Sequence, residues 1–277
     1  MFGFLKKRKH RIDESPLFDI ANLQEIGKRM RQEDSFAFVN ALDRSMYDAR
    51  GMMFCVCDGM GGMADGKLAS DTAVQCLRED FLSLDCEGNI PAQLVKSLRA
   101  ASEQVVSLLG GNGGCTAVLG VIFREKLYFA CVGDSYLFLL RGEQLIRLNI
   151  MHNMCHLKYL EAIRNGCLDP IPGRRHPESA ALTSFIGMAG YAIVTDTAAQ
   201  PIPLQRGDVI LACSDGVGGV LDEKALIKAL RASSAQQACD AIAKGVAEAA
   251  LPYQDNYTAL VVRFPSDSAG ERCADTP

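Results

Sequence analysis

No apolar run in this sequence approaches the roughly 20 residues that a helix needs to cross a bilayer, so the chain is not expected to span a membrane. Positive charge is not in excess either. Lys and Arg number 29 against 33 Asp and Glu, a formal net charge of −4, whereas a nucleic-acid partner usually asks for a basic face. That class of partner is set aside. No CxxC pair occurs among the 11 cysteines. Most of them sit inside apolar runs such as Phe54-Cys55-Val56-Cys57, where a thiol packs as a small hydrophobe. The odd count and the lack of a secretory leader speak against a disulfide framework and against zinc, and point to a reduced, cytoplasmic compartment. Between Ile20 and Phe264 there is no linker, low-complexity tract or internal repeat, which argues for one domain over 16–265. The basic segment 1–15 reads as a flexible tail; a touch to an anionic lipid surface through Phe2, Phe4 and the following cations is the other reading. Residues 266–277, small and polar, read as a disordered tail. A monomer is the default.

What is present is a hydrophobic content of 48%, enough for a well-filled core. Strands are expected at 35–40 and 52–57, the second running into the tight turn Asp58-Gly59-Met60-Gly61-Gly62. Amphipathic helices follow at 66–84 and 91–109. Three β-rich runs in quick succession, 115–123, 126–132 and 136–140, read as an antiparallel meander. The stretch 151–191, with Pro170, Pro172, Gly173 and Pro177, reads as an irregular excursion. A buried strand at 208–213, helices at 222–232 and 235–250, and a closing strand at 257–264 complete the pattern. Strands come in groups rather than in strict β-α-β alternation, so an α+β sandwich of antiparallel sheets is expected.

Four short motifs place an acid at a strand end: Arg31-Gln32-Glu33-Asp34-Ser35, Cys57-Asp58-Gly59, Cys213-Ser214-Asp215-Gly216 and Asp255-Asn256-Tyr257-Thr258. Unpaired carboxylates at the rim of a core are costly. Several gathered together would repel one another, and hard divalent cations such as Mg²⁺ or Mn²⁺ stabilise their ionised forms. Gly59, lacking a Cβ, would let its own carbonyl approach such a cation. Any one Asp-Gly turn alone is better explained by β-turn chemistry than by a metal.

The ordered set resembles the metal-dependent protein phosphatases of type 2C. Gly27-Lys28-Arg29-Met30-Arg31-Gln32-Glu33-Asp34 matches a family segment with Gln32 for Asn; Gly114-Cys115-Thr116-Ala117 follows; Gly133-Asp134-Ser135-Tyr136 matches with Tyr136 for Arg. The resemblance implies a four-layer α-β-β-α sandwich with two central antiparallel sheets and a flap subdomain near 152–191. It implies two Mn²⁺ or Mg²⁺ ions and a weaker third. Asp58 would bridge the pair, Glu33, Asp215 and Asp255 would complete one ion, and the Gly59 carbonyl with waters the other. Asp34 would hold a water in the metal site, Arg29 would bind the substrate phosphate, and Asp134 would share the third ion with Asp215. Turn chemistry alone also accounts for Asp134. A metal-activated water would then attack phosphorus in line, without a phosphoenzyme. No cysteine has Arg at the C-x5-R spacing, so a thiol nucleophile is not expected. The general acid is open, Met60 standing where some members have His.

The implied function is hydrolysis of phosphoserine or phosphothreonine on proteins that a serine/threonine kinase has phosphorylated. Two other classes stay open: a catalytically inactive relative that binds phosphoproteins as a regulatory module, and an α+β binding protein with purely structural turns. Thr116 needs no role beyond opening a strand, and the group His152, Cys155 and His156 is left without one.

Overall fold

A computed structural model describes residues 18–60, 65–167 and 177–264. Both expected tails, and Gly61 and Gly62 of the glycine turn, lie outside the described residues. The chain runs through β1 (Asp19–Glu25), β2 (Ser35–Val39), α1 (Arg44–Arg50), β3 (Met52–Cys57), α2 (Gly66–Leu82), α3 (Ile90–Leu109), β4 (Ala117–Phe123), β5 (Lys126–Val132), β6 (Tyr136–Arg141) and β7 (Gln144–Arg147). It continues through α4 (Met154–Arg164), β8 (Asp196–Thr197), β9 (Ile202–Pro203), β10 (Val209–Cys213), the one-turn α5 (Asp215–Gly218), α6 (Glu223–Leu230), α7 (Ala235–Ala249) and β11 (Tyr257–Arg263).

Two sheets form, ordered β1-β11-β10-β6-β7 and β2-β3-β4-β5-β8, with β9 also pairing β5. Every recorded pairing is antiparallel. Side-chain parity decides how they stack. Met52, Phe54 and Val56 of β3 point between the sheets, where they meet Ile210 and Ala212 of β10 and Leu260 and Val262 of β11. The alternate residues Met53, Cys55 and Cys57 face α2 and α3. On the other sheet Leu211, Cys213, Ala259 and Val261 face α6 and α7. A strand with apolar residues at both parities must be covered on both faces, so the α-β-β-α order follows from these runs.

Several expectations need correcting. The 115–123 strand begins at Ala117, because Cys115 makes single bridges to Gly59 and Ile186 instead of joining the ladder. The irregular excursion over 151–191 contains a regular helix, α4, whose N-cap Asn153 accepts the His156 N–H; none of its residues is fully buried, so its pattern is faint. β1 escapes a periodicity reading because Ala21 alone is buried along it. Its seven-residue ladder to β11 holds it in place.

Candidate active site

The carboxylates gather where β3, β10 and β11 end, and the surrounding polar residues explain how each is aimed. Asp34 precedes β2 and is buried. Its Oδ2 accepts from the hydroxyls of Ser214 (2.9 Å) and Thr258 (2.7 Å). Ser214 and Thr258 are tied to each other as well, since the Thr258 N–H donates to Ser214 Oγ (2.9 Å) and the Ser214 N–H to the Thr258 carbonyl (3.0 Å). The residue before Asp215 and the last residue of the Asp255 motif therefore hold a third motif's acid.

Asn256 does the same for the loop before it. Its Oδ1 accepts the Glu33 N–H (2.8 Å), and its Nδ2 donates to the carbonyls of Ile26 (2.8 Å) and Arg31 (2.9 Å). Gly27 sits in the left-handed region at φ 63, where an added Cβ would lie 2.2 Å from the Asp255 carbonyl oxygen. Loop 26–33 and the 254–256 turn are thus one packed unit. Gln32, standing where the family pattern has Asn, serves the turn: its Oε1 accepts the Asp34 N–H (2.9 Å) and its Nε2 donates to the Glu25 carbonyl (2.9 Å).

Asp58 leaves β3 with its N–H donating to Thr116 Oγ1 (3.2 Å), and Thr116 Oγ1 meets Ser135 Oγ at 2.6 Å. Thr116 and Ser135 thus link the Asp58 turn to the Asp134 turn, a positioning role that its strand propensity did not disclose. At Gly59 an added Cβ would stand 2.4 Å from the Gly66 carbonyl oxygen and 2.5 Å from that of Glu33. Glycine is required there by backbone packing, whatever its own carbonyl does.

The electrostatics follow from this crowding. Burial first, then repulsion from Asp34, Asp215, Asp134 and Asp255, pushes the Asp58 carboxyl well above the usual range. Asp215 is exposed at the cleft rim, yet desolvation and then the charges of Asp134, Asp255 and Asp34 push it up to about 7. Asp34 is raised by burial, against the pull of the Thr258 and Ser214 hydroxyls. Asp134 is raised by burial, and Asn153 Nδ2 donates to its Oδ2 at 3.4 Å. Arg29 is the cation at this centre: its guanidinium donates to Asp255, which raises its pKa, and it lies within electrostatic reach of Glu33 and Asp215. Tyr136, the departure from Arg, carries Arg147 over its ring at 4.7 Å, so an arginine reaches this corner from β7 instead.

A hard-cation reading fits this donor set. All candidate ligands are oxygen donors, and Asp34 Oδ1 is a fully buried carboxylate oxygen with no donor among the described residues. The mutual elevation of Asp58 and Asp215 is what a bound cation would relieve. Among the described residues no three Asp, Glu, His or Cys side chains stand close enough together to form a ready-made metal shell. A cavity of about 390 Å³ opens from Asp134, Asp215 and Asp255 toward Met151, Asn153 and Cys155, and toward Leu251 and Tyr253 on its other wall.

His152, left unassigned above, receives a structural role. Its Nδ1 accepts the Gly133 N–H (3.1 Å) while its own N–H donates to the Gly133 carbonyl (2.9 Å), clamping the turn that carries Asp134. Acceptance requires a neutral ring, and burial lowers its pKa accordingly.

Comparison with known proteins decides the family. The family described as Protein phosphatase 2C matches residues 21–164. The chain belongs to that family. Serine/threonine phosphatase stp of Listeria welshimeri is 31% identical over 176 residues, covering 61% of this chain and 67% of the relative. The Streptococcus agalactiae serine/threonine phosphatase superposes with a TM-score of 0.75 at 23% identity, over 89% of this chain and 99% of that one. The catalytic domain of PstP, solved in complex with two manganese ions, gives a TM-score of 0.70 at 20% identity over 90% and 99% of the two chains. This protein phosphatase 2C is a metal-dependent enzyme that removes phosphate from serine and threonine on proteins. Among the described residues no helix is long and apolar enough to cross a membrane.

Proposed function

We propose that this phosphatase works with two divalent cations, Mn²⁺ or Mg²⁺, which Asp58, Glu33, Asp215, Asp255 and the Gly59 carbonyl would hold, and with a weaker third, which Asp134 and Asp215 would hold. The observation that supports the reading is the gathering of Asp58, Asp134, Asp215 and Asp255 at the ends of β3, β5, β10 and β11, three of them lining one cavity, where burial and mutual repulsion raise Asp58 and Asp215. When bound, the cations supply Lewis-acid polarisation of the phosphoryl group and a water acidic enough to attack phosphorus at neutral pH.

The chain's own residues do the rest. Arg29 presents a planar fork of donors suited to the phosphoryl oxygens; in this structure that fork engages Asp255, so the arginine and one acid of the set are already neighbours. Asp34, fixed through Oδ2 by two hydroxyls, keeps Oδ1 free to accept a proton or a water hydrogen beside Asp58. Ser214, Thr258 and Asn256 tie the Asp34, Asp215 and Asp255 motifs together, and Thr116 with Ser135 ties the Asp58 turn to the Asp134 turn. The segment near 152–191 acts as a flap over the cavity and selects among substrates. The enzyme acts as a cytoplasmic monomer on the products of a serine/threonine kinase, the basic stretch at 1–15 and the segment 266–277 serving as tails to the catalytic domain.

Hydrolysis of p-nitrophenyl phosphate and of a phosphothreonine peptide tests this. Activity should require Mn²⁺ or Mg²⁺, vanish with EDTA, and fall at least about 100-fold in Asp58→Asn and in Asp215→Asn. Folded variants that retain parental activity would sink the assignment.

A further inference from the structure

The cavity that opens from the carboxylates is not polar throughout. Asp134, Asp215 and Asp255 stand at one end, whereas Leu251 and Tyr253 line one wall and Met151 and Cys155 the other. Tyr253 is 90% exposed and Leu251 40%, and neither packs into any of the three hydrophobic cores. Single apolar residues on a surface need no explanation. A leucine and a tyrosine two residues apart that share a cavity with three gathered acids do. At about 390 Å³ the cavity falls in the range of about 300–1,000 Å³ that holds a whole small ligand, so a phosphoryl group alone would leave part of it unfilled.

The connection from α7 to β11, residues 250–256, is fixed on both sides of Tyr253. Pro252 locks its own φ and keeps Leu251 out of the helical region. Lys28 Nζ donates to the Leu251 carbonyl (2.8 Å), and the Lys28 N–H donates to the Gln254 carbonyl (2.9 Å). Gln254 is buried and donates through Nε2 to the Gly216 carbonyl (3.0 Å). The main chain beneath the exposed ring is therefore ordered before any ligand arrives. A tyrosine has only two side-chain torsions to lose, and a preset backbone removes most of the remaining ordering cost of binding.

We infer that Leu251 and Tyr253 form a subsite that takes an apolar side chain of the substrate protein, two residues away from the phosphorylated serine or threonine. An extended segment turns residues i and i+2 to the same side, roughly 6.6 Å apart, so the phosphoryl group and that side chain enter one cavity together. There an aliphatic or aromatic group removes apolar surface of both partners from water. A carboxylate in its place would lose hydration against the apolar wall and stand near Asp134, Asp215 and Asp255. The inference rests on the placement of the phosphoryl group at the acids proposed above, and it gives the wall opposite Met151 and Cys155 a share in substrate choice.

The test compares phosphothreonine peptides that carry Leu, Ala or Glu at both positions two residues from the phosphothreonine, with phosphate release by the full-length protein in Mn²⁺ as the readout. The Leu peptide should exceed the Ala peptide about tenfold in kcat/KM, with the difference in KM, and the Glu peptide should be the poorest. The Leu251→Ser/Tyr253→Ser double variant should bring the Leu and Ala peptides level, whereas Tyr253→Phe should keep the parental ratio. Kd values of the matching phosphonate peptides, which cannot be hydrolysed, read the same ratio where turnover is lost. Equal values for the three peptides in the parent, a preference for Glu, a parental ratio in the double variant or a ratio lost in Tyr253→Phe overturns the subsite. Hydrolysis that persists in EDTA overturns the metal assignment instead, and the peptide ratio still reports on the wall.

Discussion

Asp215 carries the pH behaviour that can be measured most directly. Burial, then the charges of Asp134, Asp255 and Asp34, push its carboxyl up to about 7 in the folded chain, against 3.8 ordinarily. Folded protein then binds more protons than unfolded protein between those values. The contribution of Asp215 to stability is fully present below 3.8 and is lost as pH rises through about 7, and Asp58, raised for the same reasons, acts in the same direction. A cation needs both groups ionised and relieves their repulsion. Mg²⁺ should therefore raise the Tm more at about pH 8 than at about pH 5, read by differential scanning fluorimetry. Equal shifts at both pH values would show that these carboxyls do not hold the ion.

At the scale of elements, the loop before β2 and the turn before β11 act as one body through Asn256. Substituting Asn256 by Ala removes its bonds to Ile26, Arg31 and Glu33 and strands their backbone groups in a site where Asn256 is 4% exposed. The expected cost is about 2–4 kcal/mol in urea unfolding, with kcat reduced because Arg29 and Glu33 lose their anchor. Stability within about 0.5 kcal/mol of the parent would show that the loop holds without the staple. The acids at the strand ends were legible from the four motifs. Their supports were not: a Ser, Thr or Asn inside a motif has many local reasons to be there, and only the approach of β10, β11 and the loop before β2 shows that Ser214 and Thr258 both serve Asp34.

At the scale of the molecule, the two sheets must stack closely enough to keep all the strand ends together. Gly120 on β4 pairs with Phe54 on β3, and an added Cβ would fall 2.1 Å from the Phe54 ring. Gly120→Val should destabilise the fold by about 1–3 kcal/mol through overpacking, seen as a lower denaturation midpoint with an unchanged slope. An unchanged midpoint would mean that the space between the sheets can absorb the added volume.

The sequence by itself determined the central strands, the long helices and an α+β sandwich of antiparallel sheets, because apolar periodicity leaves few ways to exclude water; the four-layer order was implied there only by the family resemblance. It also named the acids, whose motifs recur in order along the chain. Tertiary structure decided what periodicity could not carry: that β1, with only Ala21 buried, is a strand at all, that α4 interrupts the irregular stretch, and that His152 clamps the Asp134 turn. It also decided that acids from distant motifs repel one another, and that Leu251 and Tyr253 share one cavity with Asp134 and Asp215. Burial and pairing of that kind depend on residues far apart in the chain, and these distances exist only once the sheets have closed on each other.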